Sequence, residues 1–141
     1  MGVKHNMESI HLNFNFTPLT TSLAYGRSGN VTYINKRGKE CVSRISNEWE
    51  ASGSPRIDGD PRLKVDIVFT VTDRRRKDLD NLCKILIDTL VKCKVIVDDS
   101  RIDELHIYRK HGVTANTDVT ITPIETKSID VSGFDVSEIF S

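Results

Sequence analysis

Leu63-Lys64-Val65-Asp66-Ile67-Val68-Phe69-Thr70-Val71 and, a short way on, Leu79-Asp80-Asn81-Leu82-Cys83-Lys84-Ile85-Leu86-Ile87-Asp88-Thr89-Leu90-Val91 are the two segments that decide the fold. In the first, Leu63, Val65, Ile67, Phe69 and Val71 alternate with more polar neighbours, Val68 excepted, which is the period of a half-buried strand. In the second, Leu79, Leu82, Cys83, Leu86, Leu90 and Val91 recur at helical spacing and predict a buried stripe. Asp78 is of the residue type preferred at a helix N-cap, and Lys92 and Lys94 suit the negative pole at the other end. A strand feeding directly into an amphipathic helix is the nucleus of the domain.

Outward from that nucleus, Ile10, Leu12, Phe14 and Phe16 alternate with His11, Asn13 and Asn15, predicting a strand over Ile10–Phe16. Thr17–Asn30, with Pro18, Gly26, Gly29 and repeated Ser and Thr, has loop composition. Asn35 is placed to cap a helix from Lys36 to Trp49 whose inner face is Cys41, Val42, Ile45 and Trp49. Ala51–Pro61 reads as a surface loop, and two further strands are expected over Ile102–Arg109 and Thr117–Ile124. The predicted class is α+β, a single domain with two main helices packed on a mixed β-sheet.

The chain has 141 residues, enough for one core, with 38% hydrophobic and 28% charged residues. No stretch approaches the roughly 20 apolar residues of a membrane span, and Met1–Asn13 lacks the apolar run of a signal peptide. A cytoplasmic location is expected. Cys41, Cys83 and Cys93 are an odd number without a close pair, which argues against a disulfide framework or a zinc ribbon. His106 and His111, five apart, point to opposite faces of a strand and argue against a histidine metal site. Net charge is zero, so the distribution of charge matters more than its sum. Arg74, Arg75, Arg76 and Lys77 form one basic run, and Lys36, Arg37 and Lys39 form another cluster.

The chemistry-bearing residues gather between Asp78 and Asp99. Asp78 and Asp80 stand at the start of the helix, and Asp80, Lys84 and Asp88 share the helical face opposite the leucines. Asp98-Asp99 follows the helix and is expected to fold back beside its start. Carboxylates without His or Cys are the ligand set preferred by Mg²⁺ or Mn²⁺. Such an ion promotes phosphodiester hydrolysis, Lys84 can offset charge on the transition state, and Arg75, Arg76 and Lys77 can hold flanking phosphates. Each piece also has an ordinary alternative: an N-cap at Asp78, a surface ion pair at Asp80 and Lys84, a turn at Asp98-Asp99, a solvated basic loop. It is their combination around one helix that points to metal-dependent DNA cleavage. Two competing classes remain, a branched-DNA binding protein without turnover and a small α+β interaction domain.

Arg75-Arg76-Lys77-Asp78-Leu79-Asp80-Asn81-Leu82-Cys83-Lys84, then Asp88-Thr89-Leu90, then Val97-Asp98-Asp99, resembles the signature of the RusA family of Holliday junction resolvases, known from phages and prophages. The resemblance covers Leu63 to Tyr108. It implies that Asp78, Asp80 and Asp99 bind the metal, that Lys84 is the catalytic lysine, and that a homodimer nicks four-way DNA junctions symmetrically. It also implies a RusA-like domain over 1–126, leaving 127–141 as a polar, mildly acidic tail, expected to be a disordered or crystal-packed end ahead of the alternative, a short docking peptide. In the N-terminal third the chain departs from the family: Thr17-Pro18-Leu19-Thr20-Thr21-Ser22-Leu23-Ala24-Tyr25 stands where a Pro-Pro-Ser-x-Asn-like loop is usual.

Overall fold

The computed structural model describes residues 8–73 and 79–125. In chain order the elements are β1 (Ile10–Phe14), α1 (Thr21–Ala24), β2 (Tyr25–Ser28), β3 (Val31–Ile34), α2 (Lys36–Ala51), β4 (Arg62–Val71), α3 (Leu79–Lys92), a 3₁₀ turn (Asp99–Arg101), β5 (Ile102–His111) and β6 (Asn116–Ile124). The class is α+β, as the alternation and helical periods predict.

β4 buries Leu63, Val65, Ile67, Phe69 and Val71 on one face. It is a central strand of a four-stranded sheet ordered β1-β6-β4-β5. β6 runs antiparallel to both β1 and β4, whereas β5 runs parallel to β4, with Leu63 opposite Ile102 and Val71 opposite His111. A parallel pair needs a crossover, and α3 is that crossover. Its Leu82, Ile85, Leu86 and Leu90 pack with β4, with Val119 and Ile121 of β6, and with Ile45 and Trp49 of α2 in one core. The outer face is polar and is laced by His11–Asp118 (2.5 Å) and reciprocal Asn13–Asn116 bonds (2.9 and 3.0 Å).

α2 begins as expected. The Asn35 side chain accepts from the Gly38 amide at 2.8 Å, satisfying one of the orphan donors of the first turn. α3 closes differently from a simple charge-stabilised end. Lys94 takes a left-handed φ of 60°, the Lys94 amide donates to the Val91 carbonyl (3.0 Å), and the Val95 amide donates to the Leu90 carbonyl (2.9 Å). That double bond pattern is a Schellman cap, and it throws the chain back into the core at Val95 and Ile96.

One expectation is corrected. The segment 17–30 is not all loop, because α1 and β2 form within it. Gly29 (φ 60°) occupies the first central position of a two-residue turn between the paired Ser28 and Val31, a place that suits glycine. There is accordingly a third, short helix beside the two main ones. The tail expected over 127–141 lies outside the described residues.

Candidate functional site

α3 supplies the platform. Leu82, Cys83, Ile85, Leu86, Ile87, Thr89 and Leu90 are buried, whereas Lys84, Asp88 and Lys92 are exposed at four-residue intervals. One stripe of an otherwise covered helix therefore faces outward. Asp80 sits one turn before Lys84. Arg75, Arg76, Lys77 and Asp78 lie outside the described residues, and for Asp80 the description covers the backbone only.

α1 and β2 run along this helix. The Thr21 hydroxyl donates to the Asn81 carbonyl in the first turn of α3 (3.3 Å), and two turns later the Tyr25 hydroxyl donates to Asp88 Oδ2 (2.7 Å). Lys84 Nζ lies 3.3 Å from the same Asp88 oxygen and 5.2 Å from the centre of the Tyr25 ring. Burial, then the hydrogen bond to Asp88, pushes the Tyr25 phenol well above its ordinary range, so it stays a donor. Tyr25, Ile34, Val42, Lys84, Asp88 and Lys92 line part of a cleft of about 460 Å³ between the β2–β3 hairpin, α2 and α3. Tyr25 falls in the stretch whose composition predicts a loop. Its signal was the Gly29-Asn30 pair, a hairpin dipeptide between two short strands.

Asp98 and Asp99 are exposed, at the 3₁₀ turn that leads into β5. The Ser100 hydroxyl donates to Asp98 at 2.6 Å and holds that carboxyl below the usual aspartate range. Arg62 fastens the turn to the start of β4, bonding the Ser100 carbonyl (2.9 Å) and Asp103 (2.8 Å from Nε). Arg101 pairs with Asp60 at 2.5 Å.

These bonds place the acidic pair at the wrong end of α3 for the expected convergence. β4 leads up into the start of α3, and α3 returns toward the start of β4. The end of α3 is held there by bonds from Arg56 Nε to the Cys93 carbonyl (3.4 Å) and from the Ile57 amide to the Val95 carbonyl (2.9 Å). The Asp99–Arg101 turn leads into β5, whose first residue, Ile102, pairs with Leu63, the second residue of β4. With 14 residues in α3 and 1.5 Å of rise per residue, about 20 Å separates the two ends of the helix. Within one chain the Asp98-Asp99 turn does not fold back beside the helix start. The parallel pairing of β4 with β5 overrides the short connection that suggested it. Among the described residues, no three His, Cys, Asp or Glu side chains come together in the manner of a metal site.

The stretch from α1 into β6, which carries these features, is the part of the chain that known proteins share. The family model described as Endodeoxyribonuclease RusA matches residues 16–122. The chain belongs to the RusA family. The crossover junction endodeoxyribonuclease of Enterobacteria phage HK97 is 28% identical over 95 residues, covering 65% of this chain and 76% of the phage protein. That of Aquifex aeolicus (strain VF5) is 32% identical over 111 residues, covering 74% of this chain and 82% of the relative. The RusA match spans α1, the β2–β3 hairpin and the whole β4–α3–β5 crossover, so the departure of Thr17–Tyr25 from the usual loop lies inside a family domain. No helix among the described residues is long and apolar enough to cross a membrane.

Proposed function

We propose that this RusA-family chain is an Mg²⁺- or Mn²⁺-dependent endonuclease that resolves four-way DNA junctions as a homodimer. In this proposal each metal site is assembled from Asp78 and Asp80 of one subunit and Asp99 of the partner subunit. The observation that carries the reading is the separation just described. The backbone of Asp80 and the Asp99 turn stand at opposite ends of α3, and both residues belong to one signature, so they serve one ion only if two chains bring them together. The surroundings of Asp99 suit such an arrangement: Asp98 and Asp99 are exposed, and the adjacent Val97 is 58% exposed, an apolar side chain open to a partner. The relatives from phage HK97 and Aquifex aeolicus carry the name crossover junction endodeoxyribonuclease.

The donors are oxygen only, which fits a hard divalent cation. Bound there, it supplies charge neutralisation at the scissile phosphate and ionisation of an attacking water near neutral pH. The chain's own residues do the rest. Arg75, Arg76 and Lys77 hold flanking phosphates and fix the strand. Lys84 places an ammonium against the charge that grows as the phosphorus–oxygen bond to water forms and the bond to the leaving sugar oxygen breaks. A two-fold dimer presents two equivalent sites, as paired incisions require.

The test is a synthetic four-way junction incubated with the protein and Mg²⁺ or Mn²⁺. Paired nicks are expected from the parent. Asp80→Asn is expected to keep junction affinity and lose cutting. Tight binding by the parent with no nicks in either metal would leave a branched-DNA binding protein instead.

A further inference from the structure

Tyr25 has no part in the acidic signature, yet it meets both Lys84 and the Asp88 carboxylate that pairs with Lys84. Its hydroxyl donates to Asp88 Oδ2 at 2.7 Å, and that same oxygen is 3.3 Å from Lys84 Nζ, while the Tyr25 ring lies under the ammonium at 5.2 Å. We propose that Tyr25, acting through Asp88, is a positioning residue that holds the Lys84 ammonium in one place on the exposed stripe of α3. This rests on Lys84 being the catalytic lysine.

A lysine on an exposed stripe would ordinarily wander among many rotamers, because its four-carbon stem is flexible and its charge is well hydrated. Here two features restrict it at once. The ring gives the cation an attractive face within the 6 Å range of such contacts, and the carboxylate gives it a charged acceptor. The carboxylate is itself restrained, since a hydrogen bond from Tyr25 occupies one side of the shared oxygen. The Tyr25 phenol, half-buried and bonded to Asp88, remains protonated across the working pH range. Tyr25 is in turn held from behind. It begins the β2–β3 hairpin, whose Ile34 end is tied to α1 by the Asn35 bond to the Leu23 carbonyl (2.7 Å). The hairpin therefore reaches across to the exposed face of a separate helix, and Tyr25 closes the stretch in which the chain departs from the usual family loop.

The experiment is single-turnover cleavage of a four-way junction by the full chain and by Tyr25→Phe, Asp88→Asn and the control Tyr33→Phe. Tyr25→Phe keeps the ring and loses the hydroxyl. It is expected to cut about tenfold more slowly, with junction affinity unchanged, because misplacing a catalytic group costs rate rather than binding. Asp88→Asn is expected to fall at least as far, and Tyr33→Phe to cut like the parent. In a Lys84→Arg background the Tyr25→Phe step is expected to shrink to less than twofold, which a merely structural role would not produce. An independent readout is the ¹³C resonance of reductively methylated Lys84, which is expected to shift in Tyr25→Phe whether or not metal is present. A parent that cuts and a Tyr25→Phe chain that cuts equally fast would overturn this inference alone. So would an unmoved Lys84 resonance. A parent that never cuts would overturn the endonuclease reading and this inference with it.

Discussion

Removing the Asn35 side chain should loosen the frame on which Tyr25 and the hairpin rest, by an amount that can be worked out. Its Oδ1 accepts from the Gly38 amide at 2.8 Å, capping α2, and its Nδ2 donates to the Leu23 carbonyl at 2.7 Å, tying α1 to the same point. Asn35→Ala loses both. A cap of this type is worth about 1 kcal/mol, and a further intramolecular hydrogen bond contributes about 1 kcal/mol net. The expected loss is therefore about 2 kcal/mol. Asn35→Ser retains the cap but cannot reach Leu23, so it should lose about 1 kcal/mol. The assay is equilibrium urea unfolding followed by the fluorescence of Trp49, the single tryptophan, which is buried with its indole N–H bonded to the Pro55 carbonyl at 2.8 Å. A 2 kcal/mol loss at a typical urea slope moves the midpoint down by about 1 M with the slope unchanged. An Asn35→Ala midpoint within about 0.2 M of the parent would refute the reasoning, as would identical losses for Ala and Ser.

Three other outcomes follow from particular contacts. A Cβ on Gly38 would stand 2.3 Å from the Ala24 carbonyl oxygen and 2.6 Å from Ile34 Cγ1. Gly38→Ala should therefore lose about 1–3 kcal/mol by overpacking, despite alanine's better helix propensity; a melting temperature at or above the parent's would contradict this. Arg62 holds the Asp103 carboxyl below its ordinary range. A depressed folded pKa means the stabilisation is present above the unfolded value, near pH 4, and is lost as pH falls through the folded one. Arg62→Met should move the Asp103 carboxyl titration, read by ¹³C NMR, up to the ordinary range and flatten the loss of stability below about pH 4. Arg75→Ala with Arg76→Ala should weaken binding to every DNA form and lower the salt slope by about two per subunit. An unchanged slope would leave that run as solvated loop.

Long periodic elements were legible because burial on one face leaves a repeating trace: β4, the leucine face of α3 and the Asn35-capped α2 appear within a few residues of their expected limits. α1, β2 and β3 were not, because four-residue elements rich in Thr, Ser and Gly carry too short a pattern, and their stability comes from docking on α2 and α3. The same docking makes Tyr25 a neighbour of Lys84, across 59 residues of sequence, and no local pattern records it. The place of Asp99 is not legible for a different reason. Proximity in sequence suggested that the acidic pair returns to the helix start, but strand direction decides it, and whether β5 joins β4 parallel or antiparallel is a property of the whole sheet. The placement of Lys84 and Asp88 on one exposed stripe, by contrast, is readable from spacing, since helical phase alone determines which residues share a face.

The most direct measurement mixes two inactive proteins. Asp80→Asn and Asp99→Asn chains are each expected to be silent on a cruciform plasmid with Mg²⁺. Exchanged at equal amounts, half of the dimers are mixed, and each mixed dimer holds one site with every acid intact and one site lacking both. About a quarter of the parent's nicking should return, as nicked circles without linear product. If the mixture stays silent after subunit exchange has been demonstrated with the parent, the acids of one site do not come from two chains.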